Sequence, residues 1–241
     1  MFDPSDEFVF ICNDLHYNTT EMKSTLESLA PSSKIISIPN HKKGPVYTVL
    51  NTDLNSYLDD EEEVIICYCD NPYLWNYEHF KFWVKDNDSD GCILSHSGFH
   101  PHRLSSTFMA HIKETNLQVS EIKEKEPYTD DPMSEQASTG TYYFKKGSYV
   151  KTYFQQLMDL NINYNGEYYA TLVYNLLIKD NLKVHCYPTD FTTVFGTPEE
   201  VEAFESWQTI LTGPQKIKNE EDLLKCYRYW KAYNERNPQQ K

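Results

Sequence analysis

The chain has 241 residues, enough for one sizeable folded domain. Its 36 acidic side chains outnumber the 22 basic ones, and the net charge of −14 disfavours nucleic acids and anionic lipid headgroups as partners. Aromatic residues make up 15% of the sequence, and only eight glycines occur. This composition excludes disordered, collagen-like and low-complexity proteins.

The predicted elements alternate between short apolar runs and helix-like segments, a pattern typical of an α/β protein. In chain order they are strand 8–12, helix 19–29, strand 34–38, helix 46–58, strand 64–69, helix 77–84, strand 91–95, strand 137–145, helices 149–160 and 167–180, strand 183–187 and a capped helix that begins after Thr197. Segment 98–131 is polar, and we expect it to be a functional insertion outside the core. The simplest division is an α/β domain of residues 1–212 and an amphipathic helical tail of residues 213–241.

No apolar run approaches the roughly 20 residues that a membrane-spanning helix needs. The apolar stretch 8–12 is too short for the core of a signal peptide, and an acidic segment precedes it. We therefore predict a cytoplasmic protein without a membrane partner. Its cysteines are then expected to be reduced and buried as small apolar side chains. They are Cys12, Cys67, Cys69, Cys92, Cys186 and Cys226.

Strand 64–69 is apolar nearly throughout, which favours a central position covered on both faces. Asp70 follows it. Ligands of open α/β sheets bind beyond the carboxyl ends of the strands, so Asp70 is a candidate ligand for a divalent cation. Asp-Asn-Pro is also a turn-forming sequence. The residues alone leave both roles open.

Three further places carry groups that could contact a phosphorylated ligand, and each has an ordinary structural alternative. Lys125, between two glutamates, is either a solvated surface charge or an inward ammonium that meets a phosphate. Gly140, within a strand, marks either the close approach of a ligand or a bulge. Glu167 follows Asn-Gly and suits the first turn of a helix without any ligand.

His100 and His102 flank Pro101 in the polar segment. No cysteine lies near them to complete a zinc site, so we expect a loop at the surface or against a substrate. The sequence has no nucleophile elbow, Walker loop or zinc-deaminase signature. Hydrolase functions therefore have no support.

Taken together and in this order, these segments resemble the sugar-phosphate nucleotidyltransferase family, which joins a nucleotide to a sugar 1-phosphate. The resemblance is strongest to the branch that serves bacterial capsules and surface polysaccharides. It extends from about residue 8 to residue 207, and its motifs lie at 41–50, 67–70, 98–102, 124–127, 138–144, 165–169 and 196–200.

The resemblance implies a Rossmann-like, GT-A-like three-layer sandwich with a mixed, mostly parallel sheet. It implies that Asp70 binds magnesium and that Lys125 meets the phosphate of the sugar 1-phosphate. A nucleoside triphosphate and a sugar phosphate are the implied substrates, and Mg²⁺ is the implied cofactor. The predicted substrate-binding residues are Gly44 near the nucleotide base, Glu124, Gly140 and Glu167 in the sugar pocket, and His100 in its loop.

The sequence departs from the family in two places. Family members begin with a strand and a glycine-rich turn that bears an arginine, whereas residues 1–7 contain no glycine or basic side chain. That strand lies between the second and fourth strands of the sheet, so its absence would leave backbone groups unpaired unless an upstream segment or a partner chain supplies it. The family's second acidic metal ligand corresponds to Val194, with Asp190 four residues earlier.

Three functions therefore remain open. The first is nucleotidyl transfer in nucleotide-sugar and polysaccharide biosynthesis. The second is a non-catalytic sugar-phosphate-binding or regulatory protein. The third is a glycosyltransferase that uses Asp70 to bind the metal of a nucleotide-sugar donor.

Overall fold

The computed structural model describes residues 5–104 and 109–212, together with residues 221, 222, 224, 228, 231, 232 and 235 of the C-terminal tail. Most of the predicted tail, 213–241, lies outside the described residues, so the division at residue 212 stays a prediction. The described part has a mixed α/β fold. None of its helices has the length and apolar character needed to cross a membrane.

The strands are β1 (Val9–Asn13), β2 (Lys34–Ile38), β3 (Val64–Cys67), β4 (Tyr73–Leu74), β5 (Gly91–His96), β6 (Ala110–Thr115), β7 (Gln118–Glu124), β8 (Gln136–Phe144), β9 (Val184–Pro188) and β10 (Phe191–Thr192). The α-helices are α1 (Asp14–Thr19), α2 (Met22–Leu29), α3 (Gly44–Leu50), α4 (Tyr77–Asp86), α5 (Gly147–Asp159), α6 (Ala170–Lys179) and α7 (Pro198–Thr212). Short 3₁₀ turns occupy Leu54–Ser56, Pro101–Leu104 and Pro132–Ser134.

The described strands form one large sheet and two small ones. The large sheet has six strands in the order β3-β8-β5-β9-β7-β6, and β6 also pairs with β8, so the sheet closes into a barrel-like form. Its described pairings are antiparallel except for β5–β9. A separate parallel pair contains β1 and β2, and a separate antiparallel pair contains β4 and β10. The mixed sheet is confirmed, whereas its predicted mostly parallel character is wrong.

The hydrophobic core lies on both faces of β5 and β8. Ile93 of β5 packs in the larger cluster with α5 and α6, whereas Cys92 and Leu94 pack in the smaller cluster with α4. Successive side chains of a strand point to opposite faces, so a strand covered on both sides must be apolar at every position. This is why residues 91–95 form a continuous apolar run.

β3 does not have the central position that its apolar run predicted. Among the described residues it pairs with β8 alone and lies at the end of the large sheet. Its side chains are partly exposed, and the cysteine that ends it, Cys67, is exposed. The prediction of buried cysteines holds for Cys92 and Cys186 but is wrong for Cys67 and Cys69, while Cys226 lies outside the described residues.

Segment 98–131 contributes to the core, contrary to its prediction as a polar insertion. It forms the β6–β7 hairpin, which buries Ala110, Ile112, Val119 and Ile122 in the larger cluster. The register of the hairpin shifts between Lys113 and Glu114. A shift of this kind interrupts the alternation of apolar and polar residues by which a strand is recognised in sequence.

Three predicted helices differ from the observed ones. Helix 19–29 corresponds to α2, which begins later, at Met22, and the preceding helix α1 was not predicted. Helix 46–58 ends early, at Leu50, because the Thr52 hydroxyl donates to the Val49 carbonyl (2.7 Å) and competes with the helical hydrogen bonds. Helix 167–180 begins later, at Ala170, because Glu167 belongs to a turn.

Two phenylalanines on one helix test this account of the core. Phe80 of α4 is fully buried, whereas Phe82, two residues along the helix, is 67% exposed. We expect Phe80→Ala to lower the free energy of unfolding by roughly 3–5 kcal/mol, since it removes a packed ring and leaves a cavity. Phe82→Ala is the matched control and should change it by about 0.5 kcal/mol or less. Urea unfolding measures both, and equal effects would contradict this placement of α4.

Candidate functional site

The carboxyl ends of three strands lie on one side of the large sheet. β3 and β5 are both antiparallel to β8, and β9 is parallel to β5, so β3, β5 and β9 run in one direction. The chain after β9 returns across this side. The Thr193 amide donates to the Pro72 carbonyl (3.0 Å), and the Phe195 amide donates to the Asp70 carbonyl (2.7 Å). Gly196 is thereby placed against Asp70.

Two carboxylates flank Gly196. A Cβ atom on this glycine would lie 3.0 Å from Oδ2 of Asp70 and 3.2 Å from Oε2 of Glu200. Glu200 is held by the predicted cap of α7, in which the Thr197 amide donates to Oε2 (2.9 Å) and the Glu200 amide donates to the Thr197 hydroxyl (3.3 Å). Asp190, the other nearby acid, forms an ion pair with Lys231 at 3.8 Å.

Asp70 and Glu200 offer the hard oxygen atoms that Mg²⁺ prefers. Magnesium is commonly bound through one or two carboxylates and keeps several water or phosphate ligands. In the part of the chain that the structure describes, no group of three or more His, Cys, Asp or Glu side chains is arranged to hold a metal ion. Asp70 and Glu200 are therefore the carboxylates beside Gly196 that could hold a divalent cation.

Lys125 is directed inward. Its Nζ donates to the Tyr169 hydroxyl (2.6 Å) and lies 3.9 Å from a Glu167 oxygen. The ammonium also lies over the rings of Tyr169 (4.5 Å) and Tyr164 (5.4 Å). The side chain is 20% exposed, and the backbone at Lys125 is left-handed, with φ at 59°. Of the two alternatives that the sequence left open, the solvated surface charge is wrong.

A tight turn brings Tyr164 and Glu167 to this ammonium. Their backbones exchange two hydrogen bonds, Tyr164 N to Glu167 O (2.9 Å) and Glu167 N to Tyr164 O (3.0 Å). Asn165 and Gly166 between them both have positive φ, at 52° and 83°, which is the geometry that favours Asn-Gly in two-residue turns. Glu167 thus lies in the turn and not, as predicted, in the first turn of a helix.

Glu124 precedes Lys125 and is buried. Its Oε2 accepts a hydrogen bond from the Thr171 hydroxyl of α6 (2.5 Å). Burial raises the pKa of Glu124 to about 7, and the Thr171 hydroxyl and the Lys125 charge oppose the rise. Near neutral pH, both the neutral and the ionised form of the Glu124 carboxyl group are therefore populated.

Tyr142 connects the two parts of the site. Burial raises the pKa of its hydroxyl most, and the charges of Glu124 and, more weakly, Asp70 raise it further. Its ring packs against the ring of Tyr68, two residues before Asp70, with centroids 5.2 Å apart. The Tyr142 hydroxyl accepts a hydrogen bond from the Ser138 hydroxyl (3.1 Å), and the charges of both Glu124 and Asp70 act on it.

Both predicted glycines have positive φ and a close neighbour. At Gly140, with φ at 80°, a Cβ would lie 2.4 Å from Nδ2 of Asn71, the residue after Asp70. At Gly44, with φ at 82°, a Cβ would lie 2.7 Å from the backbone nitrogen of Tyr168. Gly140 thus brings β8 against the Asp70 loop, and Gly44 brings α3 against the segment that carries Glu167.

His100 is buried, contrary to the expected surface loop. Its ring lies 4.6 Å from that of His96 and 5.6 Å from that of His102, centroid to centroid, and the third pair is 5.4 Å apart. Burial lowers the pKa of His100 to about 4 and that of His102 to about 3, so both rings are neutral at pH 7. We call these three residues the histidine cluster.

Several residues complete the site without having been predicted as site residues. They are Asn71, Tyr164, Tyr169, Thr171 and Glu200. A signal existed for Tyr164, because an Asn-Gly turn places the residues on its two sides opposite each other. The Thr-x-x-Glu cap likewise located Glu200, although only the structure places it beside Asp70. Thr171 and Asn71 have no comparable signal.

The fold is that of known nucleotidyltransferases. A scan against protein-family models finds no match, and a search of curated proteins finds none. A nucleoside-diphosphate-sugar pyrophosphorylase from Vibrio cholerae RC9 superposes with a TM-score of 0.64 at 19% identity, over 83% of this chain and 80% of that one. An inositol-1-phosphate CTP transferase from T. maritima superposes with a TM-score of 0.59 at 10% identity, over 93% and 77%. These likenesses confirm a mixed α/β fold similar to that of nucleotidyltransferases, whereas the GT-A-like three-layer arrangement stays a prediction.

Because the histidine cluster is buried, we expect acid to lower the stability of the folded protein. The pKa of His100 falls from 6.5 to about 4 on folding, so the unfolded chain binds a proton more readily than the folded chain between these values. The free energy of unfolding should therefore fall as the pH drops from 6.5 to 4, by up to about 3 kcal/mol for this residue. Urea unfolding across this range measures the slope.

The matched variants are His100→Phe and His16→Gln. The first removes a buried titrating ring and should flatten the slope between pH 6.5 and 4. The second changes an exposed histidine of α1 and should leave the slope as it is. A slope that His100→Phe leaves unchanged would show that His100 binds protons as readily when folded as when unfolded.

Proposed function

We propose that this protein is a nucleotidyltransferase, which transfers a nucleotide from a nucleoside triphosphate to a sugar 1-phosphate or a similar phosphorylated acceptor and releases pyrophosphate. The observation that carries the proposal is the inward ammonium of Lys125, which lies between two tyrosine rings beside the carboxylate of Glu167. An ammonium is a point charge suited to a phosphate, and carboxylates accept hydrogen bonds from sugar hydroxyls. The fold shared with nucleotidyltransferases supports the same class of reaction.

The acceptor would bind around Lys125. In this proposal its phosphate contacts Nζ of Lys125, and its hydroxyls donate to the carboxylates of Glu124 and Glu167. The Thr171 hydrogen bond fixes the direction of Glu124. Gly140 permits the close approach of β8 to Asn71, the residue after Asp70. His100, proposed from sequence as a substrate contact, would support the loop from within the histidine cluster.

The nucleotide would bind on the Asp70 side. The base would extend from there towards Gly44 and the start of α3. Two backbone hydrogen bonds hold this segment against Tyr168, beside the acceptor side: the Tyr168 amide donates to Lys43 O (2.9 Å), and the Val46 amide donates to the Tyr168 carbonyl (3.0 Å). We propose that Asp70, with Glu200 beside it, holds Mg²⁺. A bound magnesium ion would neutralise phosphate charge during the transfer.

The reaction is a displacement at phosphorus. An oxygen of the acceptor phosphate forms a bond to the α-phosphorus, and the bond from that phosphorus to the oxygen of the leaving pyrophosphate breaks with its electron pair. Lys125 would hold the attacking phosphate in position and offset its negative charge, so that two anionic groups can approach. We place this reaction in nucleotide-sugar supply for polysaccharide biosynthesis, in the cytoplasm.

A non-catalytic sugar-phosphate-binding role is the second candidate. One observation favours it: the cation described at the site, Lys125, belongs to the acceptor side. The glycosyltransferase alternative shares Asp70 as a metal ligand. Transfer from a nucleotide sugar that is lost in Asp70→Ala would support it.

The acceptor site is tested by Lys125→Ala. We expect this change to weaken binding of a sugar 1-phosphate by about 1.5–3 kcal/mol, the range for a hydrogen bond to a charged group, or roughly 10- to 150-fold. Calorimetric titration with a panel of hexose 1-phosphates measures the affinity. A parallel assay of pyrophosphate release with the four common nucleoside triphosphates separates transfer from binding alone.

Lys123→Ala is the matched control for this variant. Lys123 lies two residues earlier and forms an ion pair with Glu126 at 3.2 Å at the surface. Lys123→Ala removes one positive charge, as Lys125→Ala does. It should nevertheless leave the sugar-phosphate affinity within about twofold of that of the unchanged protein. Equal losses in the two variants would reduce the role of Lys125 to general electrostatics, and an unchanged affinity in Lys125→Ala would exclude it from the site.

A further inference from the structure

A chain of hydrogen bonds links Lys125 to Glu167 through one tyrosine. Nζ of Lys125 donates to the Tyr169 hydroxyl (2.6 Å), and that hydroxyl donates to Oε2 of Glu167. The directions follow from the groups, because an ammonium only donates and an ionised carboxylate only accepts. The two charged groups, 3.9 Å apart, are thus joined by a hydroxyl that gives its one proton to the carboxylate.

The Tyr169 hydroxyl keeps its proton in this position. Burial raises the pKa of the hydroxyl most, and the hydrogen bond to Glu167 and the charges of Glu167 and Glu124 raise this pKa further. A neutral hydroxyl between an ammonium and a carboxylate is polarised by both, so each of its hydrogen bonds strengthens the other. Loss of the hydroxyl would therefore loosen both Lys125 and Glu167.

Three different elements hold the members of this chain in place. The Lys125 amide, just after β7, donates to the Met109 carbonyl (3.1 Å). Glu167 closes its two-residue turn through two backbone hydrogen bonds with Tyr164. Tyr169 lies directly before α6, and its ring centroid lies 4.5 Å from the ammonium. The separation of the ammonium and the carboxylate is therefore set by the packing of three elements.

Both charged groups are open to a ligand. The side chain of Lys125 is 20% exposed and that of Glu167 is 40% exposed. A phosphate oxygen can accept from the ammonium, and a hydroxyl can donate to the carboxylate. Two ligand groups that reach these anchors from the solvent side must lie about as far apart as the anchors themselves. A phosphate and a hydroxyl on the adjacent carbon meet this condition, whereas hydroxyls further round a sugar ring lie at greater distances.

We propose that Tyr169 is a positioning residue that couples phosphate binding at Lys125 to hydroxyl binding at Glu167, so that the site selects phosphate esters with a hydroxyl group on the carbon next to the one that carries the phosphate. This inference rests on the proposed acceptor site and narrows the class of acceptor. Without the Tyr169 hydroxyl, the ammonium and the carboxylate can close into a direct ion pair. Such a pair would occupy both groups and remove the selection.

Calorimetric titration of the unchanged protein and Tyr169→Phe with three ligands tests the proposal. The ligands are the hexose 1-phosphate with free 2- and 4-hydroxyl groups that binds most tightly, its 2-deoxy analogue and its 4-deoxy analogue. We expect the unchanged protein to bind the 2-deoxy analogue about tenfold more weakly than the parent, since a hydrogen bond to a charged group is lost. In Tyr169→Phe, which keeps the ring, this ratio should fall to about threefold or less. The ratio for the 4-deoxy analogue should be the same in both proteins.

Tyr153→Phe is the matched control variant. The Tyr153 hydroxyl of α5 also donates to a carboxylate, Oδ2 of Asp180, at 2.9 Å. The variant deletes a hydrogen bond of the same kind outside the site, so both ratios should stay as in the unchanged protein. A 2-deoxy ratio that is the same in Tyr169→Phe as in the unchanged protein would reduce Tyr169 to a structural role and overturn the proposal.

A second variant keeps the test decisive if Tyr169→Phe does not fold. Glu167→Gln removes the charge at the other end of the hydrogen-bond chain and should lower the 2-deoxy ratio in the same way, whereas an unchanged ratio would overturn the proposal.

The titrations also separate this inference from the proposed function. Equal binding of the parent and the 2-deoxy analogue by the unchanged protein would show that the acceptor class is wrong, while the proposed function would stand. If no hexose 1-phosphate binds, the proposed acceptor site and this inference both fail.

Discussion

The hydrogen bond from Lys125 to the Tyr169 hydroxyl is the contact on which the candidate site depends. An ammonium that leaves water needs partners, and this one has a hydroxyl, two aromatic faces and a carboxylate at 3.9 Å. The Asn-Gly turn supplies Tyr164 and Glu167, and the chain just before α6 supplies Tyr169. The ammonium group is therefore held in place without a close ion pair, and its charge remains available to a bound anion.

The strands near Asp70 are less completely paired than those near Lys125. Asp70 follows β3, which pairs with β8 alone among the described residues, so the proposed metal ligand lies at the end of the large sheet. The acceptor side is built differently, since Glu124, Lys125 and Thr171 lie on elements that pack into the larger core cluster.

Much of the local structure could be predicted from the sequence. The strands at 8–12, 34–38, 91–95, 137–145 and 183–187 match observed strands within a few residues, because short apolar runs mark strands whether they are fully or partly buried. The position of β3 could not be predicted, because such a run records how apolar a strand is and not whether both neighbours are present. The β6–β7 hairpin was missed because its register shift interrupts the pattern.

The site was predictable only as a set of residue types. Whether Lys125 points inward depends on its positive φ and on a tyrosine 44 residues away, and neither leaves a local signal. The histidine cluster combines the end of β5 with a 3₁₀ turn, and spacing alone does not show that His96 joins His100 and His102. Glu200 was located by its helix cap, but its approach to Asp70 depends on the return of the chain after β9.

The central claim is that Asp70 and Lys125 serve one cleft. The most direct measurement places Mn²⁺ in the magnesium position and records the ³¹P signal of a bound sugar 1-phosphate. The account predicts that Mn²⁺ broadens this signal strongly, and that Asp70→Asn removes the broadening while the phosphate still binds through Lys125. A phosphate that binds through Lys125 and keeps a sharp signal in the presence of Mn²⁺ would show that the two residues serve different places.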